Sequence, residues 1–212
     1  MTSPRRALVL IDVQNEYFDG PLEIQYPPHA QSLPNITAAI DAAIAADLPI
    51  VVVQHTSGTD APVFNPDRPG FALHPDVQSR RTDAWHSITK EYGSVFAGTD
   101  LHDWLRERDI DTVTFVGYMT NNCVLASAAP ADDQGLFAEV LSDATGAINI
   151  ANDAGYADAQ AVHMTLMTLI HSNFASVSST ASWTEALQAG TPLPKSDLVT
   201  SAMTGAQRAQ HS

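Results

Sequence analysis

Residues 7–12, "ALVLID", form an aliphatic run closed by a carboxylate. A strand buried on both faces reads this way, whereas a half-exposed strand alternates apolar and polar residues. The same pattern returns in "LPIVVVQH" (48–55) and "DTVTFVG" (111–117), and then in "FAEVLSD" (137–143) and "FASVSST" (174–180). Between these runs lie helical periodicities. "NITAAIDAAIAAD" (35–47) spaces Ile36, Ile40 and Ile44 four apart, and "DLHDWLRERDI" (100–110) turns Leu101, Trp104 and Leu105 inward. A helix is expected from about Asn122 to Gly135. A long one spans 157–174, with Val162, Leu166, Leu169, Ile170 and Phe174 inside, and a short capped one spans 181–188. Strands alternating with helices imply an α/β fold with a mainly parallel sheet covered on both faces.

The 212 residues suit one domain, expected over 1–188, with the polar 189–212 as a C-terminal tail or arm. Residues 56–86, rich in Pro, Gly, Asp and His, read as a long excursion of the functional kind. A formal net charge of −14 argues against a nucleic-acid partner and against anionic membranes. The apolar run after Arg5 and Arg6 is too short for a signal peptide and reads as a first strand. No apolar stretch approaches membrane-spanning length, and a single cysteine fits a reducing, cytoplasmic setting.

Parallel α/β sheets bind ligands outside the carboxyl ends of their strands. That rule selects Asp12, His55, the corner 117–123 and Asp143. Cys123, the only cysteine, stands where the corner becomes helix. A helix N-terminus favours a thiolate and offers N–H groups to an oxyanion, although a lone thiol is more often a small buried hydrophobe. Asp12 is costly to bury unless it is paired or caps a strand end. Lys90 is one of only two lysines beside eight arginines. A surface position is the ordinary reading of any lysine. Buried beside a carboxylate and a thiol, it would hold both anionic.

Three segments taken together, "ALVLIDVQNEYF", "KEYGSVFAGTDLHDWLRERDIDTVTFVGYMTNNCVLASA" and "SDATGA", resemble the isochorismatase-like cysteine hydrolases, with the likeness running from about residue 6 to 187. The resemblance implies a three-layer α/β/α sandwich on a doubly wound six-stranded sheet, and a homodimer or homotetramer. It implies an Asp12–Lys90–Cys123 triad that cleaves an amide-type C–N bond of a small-molecule substrate through a thioester. A cis peptide joining Tyr118 to Met119 is implied too, turning the Met119 N–H toward an oxyanion hole shared with the Cys123 N–H.

Nicotinamidases of this family carry an Asp-x-His metal pair after the second strand. Here Gln54 and His55 stand there, so no metal and no other cofactor are expected. His74 or His86 could complete a metal site only through loop geometry. Members that cleave a vinyl ether lack the cysteine, and Cys123 argues against that alternative. The other alternative, a non-enzymatic doubly wound signalling or binding module, usually pairs acids after its first strand, where this chain has Ile11 before Asp12. Phe18, His55, Trp85, Tyr118 and Asn122 are candidate pocket walls, with core packing or helix capping as the competing roles.

Overall fold

The computed structural model describes residues 3–210. Six strands, β1 (Arg6–Ile11), β2 (Ile50–His55), β3 (His86–Lys90), β4 (Thr112–Tyr118), β5 (Phe137–Gly146) and β8 (Ser176–Ser178), form one parallel sheet in the order β3-β2-β1-β4-β5-β8. A small antiparallel hairpin, β6 (Ile150–Asn152) with β7 (Gly155–Ala157), stands apart. The helices are α1 (His29–Ala45), α2 (Pro75–Gln78), α3 (Leu101–Arg106), α4 (Leu125–Ala128), α5 (Ala159–Asn173), α6 (Thr180–Ala189) and α7 (Leu198–Ala209). The chain steps outward from β1 to β3 and then returns to β4 on the other side of β1. That reversal makes the carboxyl ends of β1 and β4 the switch point at which such sheets bind ligands.

Alternation along β1 divides the core. Ala7, Val9 and Ile11 point to one face, under Leu101 and Leu105 of α3 and Met167 and Ile170 of α5. Leu8 and Leu10 point to the other, under Ile36, Ala39 and Ile40 of α1 and Trp183 of α6. Each buried aliphatic side chain contributes about 1.5–3 kcal/mol, and β1 is covered on both faces as its sequence demands.

Several expected details shift. Ile44 is 48% exposed, because steps of four drift 40° each and carry it past the rim of the buried face. In α5 Ile170 is buried as expected, but the other buried positions are Ala159, His163 and Met167, while Val162, Leu166 and Phe174 are half-buried and Leu169 is exposed. Trp104 lies half-buried at the edge of α3 and stacks on His86. The helix expected over 122–135 begins two residues earlier as a π-helical turn (Thr120–Val124), runs directly into α4, and closes through a 3-10 turn at Gly135. The last strand is shorter than its sequence run. Residues 189–212 include α7, which Asp197 caps by accepting the Thr200 N–H. Among the described residues no helix is long and apolar enough to cross a membrane.

Candidate active site

β1 ends on Asp12, held at φ 49° in the left-handed region that Asp tolerates better than most residues. The adjoining end of β4 comes unusually close. Gly117 sits opposite Ile11 at φ 104°, and a Cβ there would lie 2.1 Å from the Ile11 carbonyl oxygen. Only glycine permits that approach. β4 then delivers the chain through a cis Tyr118–Met119 peptide into the π-turn that carries Cys123.

Lys90, the last residue of β3, is two strands away from β1 and pairs in register with His55 of β2. Its long stem crosses under that strand end, and the side chain is wholly buried. Lys90 Nζ lies 2.7 Å from Asp12 Oδ2 and donates to Cys123 Sγ at 3.2 Å. Carboxylate, ammonium and thiol, remote along the chain, meet at this switch point. The Cys123 thiol and the His55 backbone N–H also approach the Asp12 carboxylate, more weakly than Lys90 does. Burial raises the Asp12 carboxyl above its usual value, with the Lys90 charge opposing.

The thiol differs from the expectation of a thiolate eased by a helix terminus. Burial, reinforced by the Asp12 charge and opposed by Lys90, pushes Cys123 up to about 12. In the resting site it is therefore a protonated thiol beside a buried ion pair. The Cys123 carbonyl accepts from Ser127 Oγ at 2.6 Å, and the same hydroxyl accepts the Val95 N–H at 3.0 Å. The Cys123 turn is thereby tied to the segment that follows Lys90.

His55 stands 3.5 Å from Lys90 Nζ through Nδ1, with its ring edge-on to Phe64. Burial and the Lys90 charge lower it to about 4, so it is neutral near pH 7. Its backbone exchanges two hydrogen bonds with the Gln14 side chain, which also donates to the Phe71 carbonyl. Gln14 thus pins the long 56–86 excursion to the end of β1. From Phe64 an aromatic wall runs through Tyr17 to Tyr118 and Phe18, with centroids 5.3–5.7 Å apart. Phe18 is half-buried, and the Tyr118 hydroxyl is engaged with Ser32 Oγ at 2.8 Å.

Two expected pocket residues are not drawn in. Trp85 precedes β3 and is buried near Leu48, Pro49 and Ile50, at the amino rim of the sheet and away from Cys123. Its position in the chain explains this, because residues before a parallel strand lie at the rim opposite those after it. Asn122 is exposed beside Gly93, and neither it nor Asn121 caps the turn with its side chain. Asn121 instead turns a buried, unpartnered Oδ1 inward. Tyr17 is one of the aromatics the sequence offers as a pocket wall, and His163 reads there as a packing residue; Phe64 and Thr120 carry no sequence signal that separates wall from core.

His74 packs on Phe18, and His86 pairs with Asp100. Among the described residues no three His, Cys, Asp or Glu side chains gather as a metal ion would require, so the residues present do not form the metal site of the nicotinamidases.

A parallel α/β sandwich whose switch point gathers a buried thiol, ammonium and carboxylate defines a class of cysteine-containing α/β hydrolases. The chain belongs to the isochorismatase family within it: residues 6–182 match the isochorismatase domain. It is similar to the crystal structure of a family candidate from Burkholderia xenovorans LB400, with 44% identity over 99% of this chain and 100% of that one and a TM-score of 0.95. It is 29% identical to YrdC, an uncharacterized isochorismatase family protein of Bacillus subtilis, covering 83% of this chain and 92% of that protein. A nicotinamidase/pyrazinamidase of Mycobacterium tuberculosis is 28% identical, over 68% of this chain and 88% of its own. The protein is an isochorismatase-family hydrolase.

Proposed function

We propose that this hydrolase cleaves an amide-type C–N bond of a small molecule through a thioester on Cys123. The observation that carries the reading is the contact of one buried ammonium with both Asp12, at 2.7 Å, and Cys123, at 3.2 Å. The kinship with a nicotinamidase/pyrazinamidase supports a carbonyl–nitrogen bond as the target.

The resting protonation state sets the first step. A thiol held at about 12 beside a carboxylate with a raised pKa gives up its proton as it attacks. Asp12 takes that proton, and Lys90 stabilises the sulfur anion as it forms. The backbone N–H groups of Met119 and Cys123 hold the oxyanion. Asp12 returns the proton to the departing nitrogen, then draws one from the water that hydrolyses the thioester. Neutral His55 and the Phe18–Tyr118 wall form the substrate side of the site.

The test is a panel of small amides, ureides and N-carbamoyl compounds, read by ammonia release. At least one class should turn over, and Cys123→Ala should abolish it. Full turnover by Cys123→Ala on the best substrate would refute the thioester route.

A further inference from the structure

Cys123 is held on one side of its turn by the buried Ser127. The other side is held by a buried chain of hydroxyl and imidazole groups that the chemistry above does not use. Thr120, the first residue of the π-turn, is fully buried, as is Thr145 of β5, and His163 of α5 is 4% exposed. Thr120 Oγ1 lies 3.1 Å from Thr145 Oγ1 and 3.0 Å from His163 Nδ1.

The direction of each bond follows from the chemistry. The imidazole is neutral near pH 7, since burial lowers it to about 4, and its remaining N–H is directed to the Ser142 carbonyl. Nδ1 is therefore an acceptor, so Thr120 must donate to it. The Thr120 oxygen then accepts the Thr145 hydroxyl. Each donor has one destination, and both ends of the chain rest on β5. A π-turn is wider than an α-turn and is rare except as a single inserted turn. Here that turn sets where Cys123 Sγ stands relative to Lys90 Nζ.

We propose that Thr120 and His163 act as one positioning clamp that fixes the Cys123 turn against β5. They act through Cys123 and do not touch the substrate. The claim rests on Cys123 being the nucleophile. Misplacing a reacting atom by about 1 Å can cost on the order of 100-fold in rate. Loss of the clamp should therefore appear in kcat and leave KM little changed.

The experiment compares wild type, Thr120→Val, Thr120→Ser, His163→Leu and the Thr120→Val/His163→Leu double variant, with Cys123→Ala as control. The readout is ammonia release, with nicotinamide as the first probe and otherwise the fastest amide of the panel. Thermal melts confirm that each variant is folded. Thr120→Val is isosteric, and Thr120→Ser keeps the hydroxyl should the valine fail to fold. Thr120→Val and His163→Leu should each lower kcat by about 10- to 100-fold with KM within about threefold. Thr120→Ser should stay within about threefold of wild type, and the double variant should lose no more than either single one. The clamp is overturned by a folded Thr120→Val with wild-type kcat, by a loss lying wholly in KM, or by losses that multiply in the double variant. It is also overturned by a Thr120→Ser as impaired as the valine. Turnover independent of Cys123 would instead strike the nucleophile assignment, so the two failures are distinct.

Discussion

Two buried ion pairs occupy opposite ends of the same sheet. At the amino rim, Arg6 meets Glu139 through Nε and Nη2 at 2.8–3.2 Å, and Nη2 also reaches the Thr191 carbonyl. Glu139 accepts further from Thr114 Oγ1 and Trp183 Nε1. Charges and lone pairs there are nearly all answered. At the carboxyl rim, Asp12 has Lys90 with only weaker contacts from the Cys123 thiol and the His55 backbone N–H, while Lys90 divides its protons among Asp12, Cys123 and His55. The saturated pair can only hold the structure. The under-satisfied pair retains the capacity to accept a proton and stabilise a new anion. Hydrogen-bond saturation thus agrees with position, since the saturated pair lies at the amino rim and the other at the carboxyl rim where such sheets bind ligands.

Breaking each pair in turn sharpens the contrast. Asp12→Asn should lower turnover by about 10³-fold, the range expected for losing a general base. Its effect on the urea midpoint should be of the same order as that of Glu139→Gln, because Lys90 too stays buried without its counter-charge. Glu139→Gln should cost about 3–5 kcal/mol of stability, since Arg6 stays buried without its counter-charge. Turnover per folded molecule should remain within about twofold. Equal catalytic damage from both substitutions would dissolve the distinction.

Gly117→Ala comes next. Its Cβ would collide with the Ile11 carbonyl at a positive φ, so a loss of about 2–3 kcal/mol is expected in denaturant melts. Turnover should fall with it, as Ile11 leads directly into Asp12.

Much of this was legible in the chain. Asp12 and Cys123 fall at strand ends because "ALVLID" and "DTVTFVG" are aliphatic enough to be strands buried on both faces, and the parallel-sheet rule then marks their carboxyl termini. β3 was hidden, since "HSITK" is short, alternates in burial and follows an irregular stretch. Lys90 was accordingly reached through resemblance and through the scarcity of lysine. The π-turn at Cys123 was invisible because "VLASAA" has good helix formers that do not distinguish a π-turn from an α-turn, whereas the end of α4 beside Pro130 is marked in the chain. The Thr120–His163 bond spans 43 residues, beyond the reach of local pattern.

The smallest expected effect concerns pH. His163 and His55 are each lowered to about 4 in the fold from an ordinary 6.5, so the unfolded chain binds more protons between those values. Stability is then full above pH 6.5 and falls as pH drops toward 4. Asp12, raised by burial, works in the opposite sense, since its buried charge is relieved as pH falls. Urea midpoints at pH 7, 5.5 and 4.5 should decline for wild type and decline less for His163→Gln. Parallel curves would contradict the assignment of a buried neutral imidazole.

The most direct test weighs the protein during turnover by intact mass spectrometry after rapid acid quench. The expected result is an acyl adduct, equal to substrate less its leaving amine, on the peptide containing Cys123 and absent from Cys123→Ala. Sustained turnover with no adduct, together with an active Cys123→Ala protein, would contradict it.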